Sequence, residues 1–169
     1  MSDPLSFDPI EEAGRQWRLR WRAAPVDALQ AVTSVMRVQQ ILLARLNEAL
    51  EPYGLTFARY EALMLLYFTR AGALPLGKIG ARLQVHPTSV TSLIDGLAQQ
   101  GLVKRTPHPT DRRVTLAEIT DEGRELAGLA TPELNRIGFG LQSLHGEQLR
   151  QLTALLREVR ADAEDFAAE

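Results

Sequence analysis

The sequence of 169 residues contains no cysteine. This absence excludes disulfides, thiol nucleophiles, thiolate metal ligands and cysteine-based redox sensing. Histidine is scarce as well: the three histidines are His86, His108 and His145. They are far apart in the sequence, and no carboxylate cluster accompanies them at the spacing of metal ligands. There is also no nucleophile elbow and no phosphate-binding glycine loop. We therefore predict a protein that is not an enzyme and holds no metal and no cofactor.

Long apolar runs are missing too. The longest, such as "ILLA" before Arg45, are soon interrupted by charge, and none approaches the roughly 20 residues that span a membrane. The acidic N-terminus "MSDPLSFDPIEE" lacks the apolar region of a secretory signal. With 45 % apolar and 24 % charged residues, we expect a packed globular core. The expected location is cytoplasmic, with no membrane partner.

Excess positive charge is absent overall but present locally. The formal net charge of −2 by itself argues against a nucleic-acid partner. Residues 77–113, however, contain six basic and two acidic residues, which gives this segment +4 and leaves −6 for the remainder. A basic segment in an acidic chain is more informative than the total.

Two long helices with unusual apolar patterns are predicted near the two ends of the chain. Residues 26–51 contain neither Gly nor Pro and carry apolar stripes on two sides, as in a helix buried between two layers. The final helix, over residues 147–166, carries one apolar stripe, and the preceding helix is expected to kink or restart at Pro132. Both helices need a partner layer for their apolar stripes, and an isologous dimer is the commonest solution.

The stretch "HPTSVTSLIDGLAQQ", residues 86–100, predicts a helix with an unusual exposed face. Its apolar residues recur at helical spacing: Val90, Leu93, Ile94 and Leu97. Its other positions carry short hydroxyls where a solvated helix would carry Glu, Lys or Arg: Thr88, Ser89, Thr91 and Ser92. Short side chains let a helix approach base edges in a groove about 12 Å wide. Its N-terminus, at His86 and Pro87, suits phosphate. The alternative is a generic solvated helical corner.

A β-hairpin is predicted directly after this helix. The strands are residues 102–106 and 113–119, the loop is "PHPTDR", and a short helix at residues 76–83 completes a helix-turn-helix. Arg112 and Arg113 at the distal end suit the minor groove, where negative potential is concentrated. Lys104 and Arg105 at the base suit phosphate contact. The alternative is an ordinary hairpin with surface charges.

The segment "HPTSVTSLIDGLAQQGLVKRTPHPTDRRVTLAEITDEG" resembles the recognition helix and wing of MarR-type winged helix-turn-helix regulators. The family patterns "DPxDRR" and "LTxxG" correspond here to "HPTDRR" and "ITDEG", and the resemblance covers about residues 25–166. The sequence departs from the pattern at two positions. His108 replaces the usual first Asp of the wing motif, and Ser92 stands where many members carry Arg.

The resemblance implies a mainly α fold in three parts. These are an N-terminal extension with a Trp-bearing helix (residues 1–25), a helical dimerisation region (26–51 and 120–169) and a winged helix-turn-helix DNA-binding lobe (55–119). It also implies a homodimeric repressor that binds a pseudo-palindromic double-stranded operator. As is usual in the family, binding of a small aromatic or phenolic effector would release the repressor from the operator.

The resemblance also suggests effector-binding residues, although several readings stay open. The candidates are Trp17, Trp21, Phe57, Arg59 and Tyr60. The tryptophans either line a pocket or only pack the extension onto the dimer. A urate-type site would carry Asp at position 61 and Arg at position 92, whereas this chain has Glu and Ser. The alternative function is a winged-helix protein-interaction module without specific DNA binding, which salt-insensitive binding would indicate.

Overall fold

The computed structural model describes residues 5–21, 23–111 and 113–167. Within these ranges, seven α-helices and three short strands follow the order α1, α2, α3, β1, α4, α5, β2, β3, α6, α7. The helices are α1 (Pro9–Arg20), α2 (Val26–Leu50), α3 (Phe57–Phe68), α4 (Leu76–Leu83), α5 (Pro87–Gln99), α6 (Asp121–Arg136) and α7 (Gly146–Asp162). The strands are β1 (Ala73–Pro75), β2 (Val103–Pro107) and β3 (Thr115–Ile119), and short 3₁₀ turns follow α2 and α6 (Glu51–Tyr53 and Gly138–Gly140).

Side-chain caps fix where several helices begin. The Thr56 hydroxyl accepts from the Arg59 amide at 3.4 Å, and the Thr120 hydroxyl accepts from the Gly123 amide at 3.0 Å. Each cap satisfies an amide that has no partner inside its helix. These caps fix the starts of α3 at Phe57 and of α6 at Asp121.

The sheet contains one strand more than the sequence predicts. Strands β2 and β3 form the expected antiparallel hairpin. Strand β2 lies one residue later than the predicted 102–106, and β3 begins two residues later than the predicted 113–119 but ends at the predicted residue. Strand β1 pairs with the other edge of β3, so the order is β1-β3-β2. With three residues, one of them Pro75, it carries no alternating signal and depends on the sheet edge it meets.

Two predictions near the C-terminus are wrong: a restart of the helix at Pro132 and the end of the last helix at residue 166. Helix α6 does not restart at Pro132 but continues to Arg136, because the buried Ala130 and Leu134 pack it on the core on both sides of the proline. The last helix, predicted over 147–166, ends at Asp162. Phe166 therefore lies beyond α7, where its ring packs against the guanidinium of Arg157 at 4.9 Å.

The buried core lies mainly in the lobe formed by α3, α4, α5 and the sheet. Its fully buried large side chains include Leu63, Leu66, Ile79, Ile94 and Leu97, and α2 and α6 add Leu50 and Leu134. Helix α7 buries no residue, and α2 leaves a row of apolar side chains exposed: Val32, Val35, Met36 and Val38. Each of these two helices therefore packs only part of its surface against the rest of the chain. None of the helices in the described ranges combines the length and apolar character that crossing a bilayer requires.

Candidate nucleic-acid interface

A tight turn joins α4 to α5 and sets the angle between them. Gln84 ends α4 in the left-handed conformation, with φ of 54°, and the Val85 amide donates to the Gly80 carbonyl at 3.1 Å. A Cβ on Gly80 would stand 3.0 Å from a methyl of Val90, so the small residue permits the close approach of the two helices. The fixed crossing presents one face of α5 to the outside.

The exposed face of α5 carries the predicted hydroxyl row. Thr88, Ser89, Thr91 and Ser92 are all exposed, while Val90, Ile94 and Leu97 are buried against the lobe. His86 caps the helix through its ring nitrogen Nδ1, which accepts from the Thr88 amide at 3.3 Å, and Pro87 occupies the first helical position. The N-terminus and its neighbouring hydroxyls thus form one continuous polar surface.

The wing is the β2–β3 hairpin, and hydrogen bonds join the described residues near its tip. The His108 amide donates to the Val114 carbonyl at 3.0 Å, and the Asp111 carboxylate accepts from the Arg113 amide at 3.0 Å. An aspartate that bonds to the amide two residues on stabilises a turn. Arg113 is exposed on this tip. Arg112, the other predicted minor-groove residue, lies outside the described residues.

The two basic residues at the base of the wing are both paired with carboxylates. The Lys104 ammonium lies 3.0 Å from a carboxylate oxygen of Glu118 on β3. The Arg105 guanidinium bonds to Asp95, which projects from α5. These pairs are exposed and therefore contribute little to stability, but they offset the charge that each cation would bring to a phosphate. The Asp95 pair also ties β2 to α5.

The five predicted effector residues lie in different surroundings. The Trp17 and Trp21 rings are 4.5 Å apart, both exposed, and line a small surface hollow with residues 23 and 24. Tyr60 is buried, its ring stacks on Phe57 at 6.3 Å, and its hydroxyl lies 3.0 Å from that of Thr131. This tyrosine therefore has a packing role between α3 and α6.

Arg59 faces α5 instead of the tryptophans. It lines a crevice between α3 and α5 together with Thr88, Thr91 and Ser92. The family resemblance placed it among the effector candidates. The structure groups it with the predicted DNA face.

A larger cleft was missed by sequence reasoning. It has a volume of about 780 Å³ and lies between the C-terminal ends of α2 and α6 and the turn after α6. Arg45 spans it and donates to the Gly140 carbonyl at 2.7 Å. The ion pair between Glu133 and Arg136 forms another part of its wall and lowers the pKa of the Glu133 carboxyl. The Arg45 and Gly140 that meet in it are 95 positions apart in the chain, so no local pattern could have predicted the cleft.

The fold and the interface define the class of protein: a helix-turn-helix followed by a hairpin wing, as in winged-helix transcriptional regulators. The MarR family profile matches residues 55–115. The HTH-type transcriptional regulator MhqR of Bacillus subtilis (strain 168) is 30% identical over 140 residues, which cover 82% of this chain and 95% of MhqR. This chain belongs to the MarR family of transcriptional regulators.

Solved structures agree with this assignment. Sco5413, a MarR family transcriptional regulator from Streptomyces coelicolor, is 50% identical with a TM-score of 0.78, and the match covers 85% of this chain and 99% of Sco5413. CouR from Rhodococcus jostii RHA1, solved bound to p-coumaroyl-CoA, is 27% identical with a TM-score of 0.66, covering 80% of this chain and 92% of CouR.

Proposed function

We propose that the protein is a sequence-specific DNA-binding repressor that inserts α5 into the major groove and the wing into the minor groove. The observation that carries this proposal is the exposed hydroxyl row on α5, which begins at the helix N-terminus. Short hydroxyls permit close approach to base edges, and the helix dipole favours phosphate. The interface residues are His86, Pro87, Thr88, Ser89, Thr91, Ser92, Lys104, Arg105, Arg112 and Arg113.

The repressor is a homodimer in this proposal. No residue of helix α7 is fully buried within its own chain, and Leu155, Leu156 and Val159 are exposed on it. Helix α2 exposes an apolar row of its own. In this proposal the chain has three parts: an N-terminal extension (1–25), a dimerisation region (26–51 with 120–169) and a DNA-binding lobe (55–119). A two-fold dimer would place two copies of α5 on the half-sites of a pseudo-palindrome.

The dimer has its own test. Val159→Asp would place a carboxylate in the apolar contact, where an unpaired charge is costly. We expect this variant to sediment as a monomer at concentrations where the wild type is dimeric. Glu147→Asp, in the polar first turn of the same helix, is the matched control and should sediment as a dimer like the wild type. A Val159→Asp protein that remains dimeric would contradict the proposed interface.

A small aromatic or phenolic effector releases the repressor from DNA in this proposal. The exposed Trp17 and Trp21 pair offers an aromatic surface, and CouR, which binds p-coumaroyl-CoA, supports an aromatic ligand. Removing residues 1–25 should alter the response to an effector more than the affinity for DNA. An unchanged response in the shortened chain would exclude the tryptophans from the pocket.

The ion pairs of Lys104 and Arg105 favour a second candidate, a winged-helix module that binds a protein partner. Paired cations provide less free charge for phosphates than the sequence implies. The two functions differ in salt dependence, because DNA binding releases counterions and protein contact through this face would not. Affinity for duplex DNA that falls steeply between about 50 and 200 mM salt would support the repressor.

The decisive experiment selects bound duplexes from promoter DNA and then tests variants on the selected sequence. Ser89→Glu should abolish binding, because it sets a carboxylate against phosphate-rich DNA. Ser143→Glu adds the same charge before α7 and should bind normally. Replacing Arg112 and Arg113 together by Ala should weaken binding strongly without unfolding the protein. Normal binding by Ser89→Glu would refute the role of α5.

A further inference from the structure

The guanidinium of Arg59 lies directly over the backbone of Gly96 on α5. A Cβ built on Gly96 would stand 2.5 Å from one guanidinium nitrogen and 2.7 Å from the central carbon of the group. Real Cβ atoms essentially never approach a heavy atom within 3.0 Å. Arg59 can therefore occupy this position only because residue 96 has no side chain. Gly96 forms a notch in the recognition helix, and Arg59 fills it from α3.

This notch opens onto the face that is proposed to meet DNA. The crevice between α3 and α5 has a volume of about 640 Å³, and its other walls are formed by Thr88, Thr91 and Ser92. These are residues of the hydroxyl row. A group that rests in the crevice thus lies beside the row and shares its outward surface.

The recognition helix itself has no cation. Its 13 residues contain one charged side chain, Asp95, whose carboxylate is bonded to Arg105. A helix in the major groove is flanked on both sides by phosphates, whose contacts fix its register. The hydroxyl row can donate to phosphates but contributes no charge. The cation for the α3 side of the helix has to come from another element.

Arg59 has the properties that this role requires. It is half-buried, so its stem is held in place, and none of the hydrogen bonds or ion pairs found among the described residues uses its guanidinium. A guanidinium offers several donors in a planar fork that matches phosphate oxygens. Asp95, which lines the same crevice, is already engaged by Arg105.

We propose that Arg59 is a DNA-contacting residue, which reaches a backbone phosphate beside the recognition helix through the notch at Gly96. This inference rests on the proposed insertion of α5 into DNA. Arg59 contributes affinity and register, and it does not read sequence. Gly96 is the positioning residue that keeps the guanidinium in place.

The test measures duplex affinity of the full-length protein as a function of salt, on a selected duplex of about 30 base pairs, long enough for two half-sites. Arg59→Ala should lower affinity about tenfold and reduce the salt slope by about 1 for each phosphate that is no longer neutralised. Arg59→Lys keeps the charge and should restore the slope but only part of the affinity. Arg15→Ala removes a cation from α1 and should change neither quantity.

The notch has a separate test. Gly96→Ala should fold normally, because its clash is with the end of a flexible side chain, and it should lower affinity as Arg59→Ala does. The double variant should be no worse than either single one, because both remove the same interaction with phosphate. A Gly96→Ala variant that binds the duplex with wild-type affinity would contradict the positioning role of Gly96.

The outcomes separate this inference from the function on which it rests. A wild-type protein without salt-dependent duplex binding would refute the proposed function itself. A wild type that binds normally, with an Arg59→Ala variant of equal affinity, would overturn only the role of Arg59. Reduced affinity with an unchanged salt slope would also overturn it, because support of the fold alone does not change the number of neutralised phosphates.

Discussion

Replacing Gly123 by Ala should destabilise the contact between the wing and α6. Gly123 lies buried in the first turn of α6, where a Cβ would stand 2.2 Å from the carbonyl oxygen of Leu102 and 3.1 Å from its carbon. That carbonyl accepts from the Thr120 amide at 3.1 Å, and the Thr120 hydroxyl in turn caps the Gly123 amide. The added methyl therefore forces the backbone apart at the point where the wing begins.

The size of the effect follows from the atoms that the methyl displaces. Overpacking against backbone costs about 1–3 kcal/mol. Weakening the hydrogen bond to Leu102 and the cap at Thr120 adds about 1 kcal/mol each. The higher helix propensity of alanine offsets about 1 kcal/mol of this destabilisation. We expect a net loss of about 2–4 kcal/mol in the free energy of unfolding, a large share of the ~5–15 kcal/mol typical of a domain.

Urea unfolding followed by circular dichroism measures this loss, at one fixed protein concentration because the stability of the proposed dimer would depend on it. Gly128→Ala is the matched control, since it lies in the same helix with nothing within 4 Å of the added Cβ. The control should gain up to about 1 kcal/mol. Equal midpoints for the two variants would refute the packing argument at Leu102.

Three further predictions concern single side chains. Leu97→Ala should lower the free energy of unfolding measured in urea by about 2–5 kcal/mol, since Leu97 is fully buried. A decrease below about 1 kcal/mol would contradict the place of Leu97 in the core. Arg15 and Gln16 lower the pKa of Glu12 to about 2 through hydrogen bonds, so an NMR titration of Arg15→Ala should return that pKa toward its ordinary value. Burial raises the pKa of Glu61, so the contribution of this carboxyl to stability falls as pH rises from its ordinary pKa through the raised one. Glu61→Gln should lack this contribution, so urea unfolding should show the variant gaining stability relative to the wild type as pH rises over that range.

Local patterns in the sequence explain why the recognition helix and wing were predictable. Helical periodicity, a proline at the first helical position and a proline-rich loop between β-branched runs each act within about ten residues, and α5 and the hairpin form as these signals indicate. The hydroxyl row is exposed because the apolar stripe opposite it is buried.

The features that escaped prediction depend on contacts between distant residues. Strand β1 has too few residues to carry a pattern and forms on the edge of β3. The pairing of Lys104 and Arg105 depends on which carboxylates the hairpin and α5 bring beside them. The contact of Arg59 with Gly96 joins residues 37 positions apart, and a glycine inside a helix gives no sign of what covers it.

The insertion of the wing into DNA is tested most directly by affinity cleavage. The chain lacks cysteine, so Thr110→Cys, on the exposed wing tip, gives a single attachment site for an iron chelate that cleaves nearby DNA. We predict cleavage across the minor groove at two positions related by the two-fold axis of the selected duplex. The same chelate on Arg150→Cys of α7 should give none. A Thr110→Cys conjugate that binds the duplex with wild-type affinity and leaves it uncut would contradict the account.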